Sequence, residues 1–305
     1  MKISVAICTW NRAKLLDQTL EKMQALKIPD GVDWEVLVVN NNCTDDTSSV
    51  VQRHQGRLPI RGLHEPKQGH SHSRNCAVAA ASGDLLLWTD DDVLVDDDWL
   101  TCYAVAAREN PGDAFFGGPV EPWFERQPPS WFQSIWPRVQ DAYAIRNLGD
   151  QPIAFTEEKI PFGANFAVRM DVQRQNLFDP QTGRKGSGMV GGDETTVLVS
   201  LLRAGLSGRW IPQARVLHFI PSERMTLSYL RRYFYGQGQT AALFADHSNA
   251  ATLFGGPRWL LRKALLAEFN YRRRRYVAKP LRWIEPMIEA SLAWGQYHGS
   301  KNESS

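Results

Sequence analysis

Three clusters of polar residues each follow an apolar segment, and one of them is a run of acids. The clusters are residues 9–12, 40–46 and 90–92, after the segments KISVAIC, WEVLVV and DLLLWT. Asp90, Asp91 and Asp92 form the third. Carboxylate oxygens are preferred ligands of Mg2+ and Mn2+, and like charges this close are unfavourable without a cation. The triplet predicts a divalent-metal site; the alternative is an acidic turn that caps the next helix, the role we assign to residues 96–98.

The apolar segments alternate with helical patterns, and this predicts how the clusters are positioned. Apolar residues at spacings of three and four predict a helix after the first segment, with Asn11 as its N-cap. Further helices are predicted up to His54 and over 71–81, and a short strand over 59–65. Strands alternating with helices form a mostly parallel sheet covered on both faces, which binds ligands beyond the carboxyl ends of its strands. We therefore expect one α/β domain with a site at that edge.

The second half of the chain is less regular. Residues 119–138 contain five prolines and three tryptophans, Trp123, Trp131 and Trp136, and read as an irregular excursion. These rings either stack on a bound ligand, pack in a core or anchor the chain at the edge of a membrane. Strands are predicted over 164–169 and 214–219, and a helix over the segment GGDETTVLVSLLRAG between them. From residue 225 onward the pattern is helical and basic.

Composition excludes several classes of protein. The net charge of +2 argues against a nucleic-acid partner. The four cysteines form no CxxC pair, which argues against a zinc site and suits a reducing compartment. No segment approaches the ~20 apolar residues of a membrane span, so we expect a cytoplasmic protein. Arg231, Arg232 and the basic run 272–275 lie among aromatic and apolar residues, and form either a peripheral contact with the inner face of the membrane or a solvated helix face.

Taken in order, these segments resemble the family 2 glycosyltransferases with the GT-A fold. The resemblance covers about residues 3–219, and no single motif in it is decisive. The stretches that carry it are VAICTWNR, VLVVNNNCTDDT, KQGHSHSRN, LLLWTDDDV, PFGANFAVR, GGDETTVLVSLLRAG and ARVLHF. The implied organisation is a GT-A domain over 1–220, with a nucleotide-binding half (1–118) and an acceptor half (119–220), followed by a basic helical extension over 221–305.

The resemblance implies a nucleotide-sugar donor, a UDP-sugar favoured, and a glycan or lipid-linked acceptor. The metal, Mn2+ or Mg2+, would be bound by Asp91, with Asp92 and His218 as further ligands. Asn41 stands where the family commonly has an aspartate that reads the base, and its amide can still accept that bond. The other residues expected to bind the donor are Thr9, Arg12, Arg74, Asp90, Asp92 and Asn165.

Two adjacent acids at a predicted helix start are candidates for the catalytic base. Counting back from Gly205, Glu194 takes the family's usual aspartate position and Asp193 the neighbouring one, so the two acids are exchanged. Inverting transfer needs a base within hydrogen-bond reach of the acceptor hydroxyl. We favour Glu194, which we expect the helix dipole to keep ionised, with Asp193 as the alternative.

Two other functions compete with metal-dependent inverting sugar transfer. A nucleotidyltransferase would need a glycine-rich phosphate loop after the first strand, and CTWNRAK has no glycine. A non-catalytic protein that binds a nucleotide sugar or a metal is the other alternative, because Asn41 and Glu194 depart from the family pattern.

Overall fold

A computed structural model of the chain describes residues 1–180, 192–243, 245 and 250–301. These residues form two compact units. The first comprises residues 1–123, 144–180 and 192–219; the second comprises residues 124–143 and the described residues from 220 onward. Residues 124–143, predicted from the sequence to lie in the acceptor half, therefore belong with the C-terminal helices.

The first unit begins with the predicted alternation of strands and helices. Its first elements are β1 (Lys2–Thr9), α1 (Ala13–Met23), β2 (Asp33–Asn40), α2 (Thr47–His54), β3 (Ile60–His64), α3 (His70–Ala80) and β4 (Leu85–Asp90). β1 pairs in parallel with β2 and β4, and β2 with β3. Residues 36–39 of β2 are buried throughout, as expected for a strand covered on both faces. The predicted α/β fold with a mostly parallel sheet is confirmed.

The rest of the chain adds short strands and the C-terminal helices. The elements are β5 (Val93–Val95), α4 (Trp99–Glu109), β6 (Asp113–Gly117), β7 (Val120–Phe124), α5 (Ser130–Val139), β8 (Asn165–Arg169), α6 (Met170–Gln175), α7 (Asp193–Arg203), β9 (Ser207–Trp210), β10 (Val216–Ile220), α8 (Leu227–Ala242), β11 (Thr252–Leu253), β12 (Gly256–Pro257), α9 (Arg258–Val277) and α10 (Pro280–Gly299).

Two sheets organise the strands of the first unit. The larger has the order β3-β2-β1-β4-β8-β6-β9, in which β8 is antiparallel to both of its neighbours. A small sheet has the order β5-β10-β7. The strands β5, β6, β7 and β9 are not predicted from the sequence, because segments of three to five residues are too short to show a clear periodicity.

The start of α1 differs from the prediction. Arg12 occupies the N-cap position and makes no side-chain cap. Asn11 has a φ of 54° in the left-handed region that asparagine tolerates, and its Oδ1 accepts a 2.7 Å bond from the Thr44 N–H. The cap comes from another loop, since Asp45 Oδ2 accepts from the Ala13 N–H at 2.8 Å. The loops after β1 and β2 are thereby tied together.

The second unit is built from helices that pack very closely. A Cβ at Gly238 of α8 would overlap the carbonyl oxygen of Leu292, and one at Gly295 of α10 would overlap that of Tyr235. Only glycine permits this approach of two helices. On α5, Trp136 packs against Phe124 at 5.2 Å between ring centroids. Among the described residues, no helix is both long enough and apolar enough to cross a bilayer.

Candidate functional site

The acidic turn after β4 is brought beside a histidine by the small sheet. β10 runs antiparallel to β5, and His218 is paired with Val93. His218 Nε2 consequently lies 3.4 Å from Asp92 Oδ1. Asp90, Asp92 and His218 each offer a ligand atom within 4.8 Å of the other two. Two carboxylates and an imidazole are a donor set that suits Mn2+ or another divalent cation.

Asp91 is placed differently from the prediction that it binds the metal. It does not belong to this group of three. Its Oδ2 accepts from Thr9 Oγ1 at 2.7 Å, and its Oδ1 from Arg12 Nη1 at 2.9 Å. Burial raises the pKa of Asp91 to about 6, although Arg12 opposes the shift. In this geometry Asp91 anchors the turn through Thr9 and Arg12.

Arg12 connects this anchor to the ligand group. The same Nη1 atom donates to Asp92 Oδ2 at 2.8 Å. Asp91, Asp92 and the half-buried Asp90 raise the pKa of the guanidinium, with Asp91 the largest of these contributions. Thr9 and Arg12, both expected to contact the donor, thus direct these side-chain hydrogen bonds to the acidic turn and hold it in place.

Asn41 is buried, and its amide is fully used within the protein. Its Nδ2 donates to the carbonyl oxygens of Glu65 and Lys67, at 2.9 and 2.8 Å. Its Oδ1 accepts from the Gly69 N–H at 2.9 Å and from Gln68 Nε2 at 3.2 Å. These four bonds exhaust the capacity of an asparagine side chain. The geometry therefore differs from the expected base contact: Asn41 shapes the loop that leads into α3.

Asn165 departs from its expected role for the same reason. Its side chain is fully buried. Oδ1 accepts from Trp99 Nε1 and from Tyr103 Oη, both at 2.8 Å. Nδ2 donates to the carbonyl oxygens of Pro119 and Ala214, at 2.9 and 2.7 Å. Asn165 links α4, β8 and the two loops, and no amide atom remains for a sugar.

Arg74, expected to contact phosphate, is buried between aromatic rings and the two acids of α7. Its Nη1 lies 3.3 Å from Asp193 Oδ2 and 3.5 Å from Glu194 Oε2. Its guanidinium carbon lies 4.9 to 5.6 Å from three ring centroids, those of Phe178, Trp88 and Phe166. The rings hold the guanidinium in place and shield it from water, which strengthens its effect on both carboxylates.

The two acids of α7 are pushed apart in acidity. Burial alone would raise the pKa of Asp193, but Arg74 and His70 outweigh it and bring the pKa well below its usual range. Burial raises the pKa of Glu194, and the adjacent Asp193 carboxylate raises it further. The expectation that the helix dipole keeps Glu194 strongly ionised does not match this direction. A stably ionised acid next to a more basic one is typical of sites that transfer protons.

His70 was not assigned a role from sequence, and Gly163 was considered only as part of the stretch PFGANFAVR. His70 Nδ1 lies 3.4 Å from Asp193 Oδ2. A Cβ at Gly163 would lie 2.8 Å from Arg74 Nη2 and 3.1 Å from Glu194 Oε1, so this loop reaches the acids closely. His70 and Arg74 are one helical turn apart on α3, so they lie on the same face of the helix. This spacing in HSHSRN is informative only once Arg74 is known to contact Asp193.

The metal-ligand group and the acid pair influence the same buried cation. Burial alone would lower the pKa of Arg74, but Asp193, Glu194 and Asp90 together raise it. Cys8 at the end of β1 lies in the same field. Burial raises the pKa of its thiol, Arg74 opposes the shift, and Asp90 and Asp193 add to it. Both effects act inside the first unit, where Cys8 of β1 is paired with Asp90 of β4.

The sequence of the chain is similar to those of known proteins. A family model described as glycosyl transferase family 2 matches residues 4–174. The succinoglycan biosynthesis protein ExoM of Rhizobium meliloti (strain 1021) is 27% identical over 79% of this chain and 74% of its own length. Validoxylamine A glucosyltransferase of Streptomyces hygroscopicus subsp. jinggangensis (strain 5008) is 30% identical over 57% of this chain, which spans only 41% of that relative.

Solved structures share the fold at low sequence identity. The mannosyltransferase PcManGT from Pyrobaculum calidifontis, in complex with GDP-Man and Mn2+, matches with a TM-score of 0.53 and 18% identity, over 98% of this chain and 73% of that one. S. aureus TarS 1-349, in complex with UDP-GlcNAc, matches with a TM-score of 0.53 and 15% identity, over 100% of this chain and 93% of that one. At these identities the similarity shows the fold alone.

Proposed function

Because this chain belongs to glycosyl transferase family 2 and is a glycosyltransferase, we propose that it is a metal-dependent inverting enzyme. It moves a sugar from a nucleotide-diphosphate donor onto an acceptor hydroxyl. The observation that carries the proposal is that the first unit contains both a group of converging metal-ligand atoms and, beside the buried Arg74, a pair of acids. A site with ligands for a cation and a separate basic carboxylate suits this reaction.

Asp90, Asp92 and His218 would hold the metal, because their ligand atoms converge. A bound Mn2+ or Mg2+ supplies Lewis-acid stabilisation for the charge that grows on a departing diphosphate. Arg12 and Thr9 keep the turn in shape through Asp91. Asp91 in this proposal supports the ligands and does not bind the cation.

Glu194 is the proposed base. It accepts the proton of the acceptor hydroxyl while that oxygen attacks the anomeric carbon from the side opposite the diphosphate. The new carbon–oxygen bond forms as the bond to the diphosphate breaks, so the configuration is inverted and a nucleoside diphosphate leaves. The raised pKa of Glu194 makes it the better proton acceptor of the pair. Asp193 stays ionised, holds Arg74 in position and is itself contacted by His70.

The donor and the acceptor follow from the relatives only as proposals. One structural neighbour is bound to UDP-GlcNAc and another to GDP-Man. A UDP-sugar is our first candidate, and the GDP-sugar is the second. ExoM is named for succinoglycan biosynthesis, which supports a polysaccharide or lipid-linked glycan as the acceptor. An acceptor of that kind suits peripheral contact with a membrane.

Thermal melting with UDP-, GDP- and dTDP-sugars, each with and without Mn2+, tests the donor and the metal together. The true donor should raise the melting temperature only when Mn2+ is present, because ligands that bind the native state stabilise it. Stabilisation that is unchanged by EDTA would contradict the metal site. The role of the base is tested separately, by substitution of Glu194. A protein that binds donor but neither hydrolyses nor transfers it would favour the non-catalytic alternative.

A further inference from the structure

Large apolar side chains are unusually exposed on α9 and the hairpin before it. Phe269 is 67% exposed, Tyr276 89% and Val277 82%. Among the described residues of the first unit, the most exposed large apolar residue is Leu177, at 56%. Single exposed apolar residues are common on proteins, whereas a cluster of them marks an interaction surface.

A set of the exposed residues of α9 shares one face. Leu260, Ala264, Glu268 and Tyr271 form the buried face of the helix. Five of the exposed residues follow each other at spacings of four and three, which places them along a single stripe, and the exposed Trp259, Leu265 and Val277 lie beside it. This stripe, which we call the α9 face, consists of Arg262, Leu266, Phe269, Arg273 and Tyr276.

The α9 face is basic as well as apolar. The helix contains seven lysine and arginine residues and one acid, Glu268. Glu268 is buried and accepts from Arg231 at 2.9 Å and from Arg272 at 2.8 Å. It therefore pairs with two of the arginines considered for membrane contact and offsets one of their two charges. Within the described part of the chain, Arg262 and Arg273 are in no ion pair.

The hairpin before α9 displays an aromatic ring at a position that disfavours it. Phe254 has a φ of 54°, in the left-handed region, and the residue is 78% exposed. Asparagine or glycine is usual there, because a bulky side chain is strained at positive φ. The hairpin itself is firmly attached, since Tyr297 Oη donates to the Leu253 carbonyl at 2.7 Å. An exposed ring on an anchored, strained turn contributes little to packing, which indicates an external contact.

We infer that the α9 face and Phe254 dock on an anionic phospholipid surface. Aromatic and aliphatic side chains enter the headgroup boundary, and arginines beside them bind anionic headgroups. A second copy of the chain is a poorer occupant, because two α9 faces in contact would bring positive charges together with no acid on either face. This inference deepens the proposed membrane contact, but it rests on the surface and not on the transfer reaction.

Vesicle sedimentation at low and high salt tests the inference with the full chain. The vesicles contain phosphatidylcholine alone, or phosphatidylcholine with about one-third phosphatidylglycerol. Wild-type protein should bind the anionic vesicles, and salt should weaken the binding. Arg262→Ser with Arg273→Ser should weaken it roughly thirtyfold, the loss expected for two basic residues at a charged surface. Phe269→Ser with Tyr276→Ser should weaken binding to a similar or larger extent.

Leu177→Ser with Val105→Ser, which removes exposed apolar residues of the first unit, is the matched control and should bind as the wild type does. Equal binding to neutral and anionic vesicles, or equal losses in the control, would overturn the inference. The inference would also be overturned if the wild-type protein formed a dimer without vesicles and the α9 variants were monomers. Turnover with a water-soluble acceptor should not change in these variants. If the wild-type protein showed no turnover, that result would count against the proposed function but would not affect the inference from vesicle binding.

Discussion

Two arginines in the first unit each hold a pair of carboxylates, and the surroundings of the pairs differ. Arg12 lies 2.9 and 2.8 Å from Asp91 and Asp92, and its side chain is 37% exposed. Arg74 lies 3.3 and 3.5 Å from Asp193 and Glu194, and its side chain is 3% exposed. Arg12 is closer to its carboxylates and partly exposed to solvent. Arg74 is farther from its carboxylates and is enclosed by aromatic rings.

The difference indicates how similar groups can serve different chemistry. Around Arg12 a third carboxylate, Asp90, and His218 are present, so negative charge exceeds the single guanidinium and favours a cation. Around Arg74 two carboxylates lie within 3.5 Å of its Nη1, and Asp90 acts on it without an ion pair among the described residues. The positive charge of Arg74 lowers the pKa of Asp193, whereas the pKa of Glu194 stays raised. We interpret the number of carboxylates around each arginine as the property that suits the Arg12 region to metal binding and the Arg74 region to proton transfer.

The largest expected effect is at the metal-ligand group. Asp92→Ala should reduce transfer by ~10³-fold or more, because it removes a ligand from a cation that stabilises the leaving group. EDTA should do the same to the wild-type enzyme, and added Mn2+ should reverse it. The measurement is the transfer rate over a titration with Mn2+.

Asp91→Asn is the matched comparison for Asp92. The asparagine side chain keeps the shape of the original. Its Oδ1 can still accept from Arg12, and its Nδ2 can donate to Thr9 Oγ1 in place of the bond that Thr9 donates to Asp91, so the Mn2+ requirement should change little. If Asp91→Asn abolished Mn2+ dependence while Asp92→Ala retained it, the assignment of these two residues would be reversed.

The next effect is at the acid pair. Glu194→Gln keeps the size of the side chain but removes its basicity, so kcat should fall by ~10²-fold or more. Donor affinity should barely change, because the proposed base acts on the acceptor. Steady-state kinetics with the donor and the acceptor varied in turn would separate the two effects.

Asp193→Asn is the paired variant. It removes the charge that raises the pKa of Glu194 and weakens the hold on Arg74, so a smaller loss is expected. A complete loss in Asp193→Asn, with activity retained in Glu194→Gln, would make Asp193 the base.

The smallest expected effect concerns pH. Glu194 must be ionised to accept a proton, so activity should fall as the pH drops through its pKa, which is raised above the ordinary 4.5. Arg74 opposes that rise, so Arg74→Met should raise the pKa further and move the acidic limb to higher pH. At a fixed pH on that limb the rate should fall about tenfold for each unit of movement.

Arg74→Lys provides the control, because lysine keeps the charge. Its acidic limb should move less than that of Arg74→Met. Melting curves are needed beside both profiles, since removing one partner of a buried ion pair costs ~3–5 kcal/mol of stability. An acidic limb that is identical in all three proteins would show that Arg74 does not influence the base.

The frame of the first unit could be predicted well from the sequence, because strong periodic patterns determine it. β1, β2, β4 and α3 lie within about two residues of their predicted bounds. The convergence of Asp92 with His218, from distant parts of the chain, follows the expected ligand set.

What the sequence could not supply is which polar atoms the fold itself uses. Asn41 and Asn165 stand beside the expected site, yet each amide is saturated by backbone and side-chain partners. Arg74 follows a helix start suited to an anion, yet the aromatic rings and acids that enclose it come from distant segments. Hydrogen-bond satisfaction depends on tertiary contacts, and no local spacing encodes it.

The assignment of residues 124–143 to the second unit has a consequence for biosynthesis. The ribosome finishes the last segment of the first unit near residue 219. It finishes α10, which belongs to the same unit as α5, only at Gly299. Synthesis proceeds at ~5–20 residues per second. The rings packed on Trp136, those of Phe124, Phe132 and Tyr143, therefore exist for on the order of ten seconds before the C-terminal helices are complete. We therefore expect residues 124–143 to be cut readily by protease in nascent chains arrested near residue 225, and to be protected in the full chain. Equal protection in both would mean that this segment folds with the first unit during synthesis.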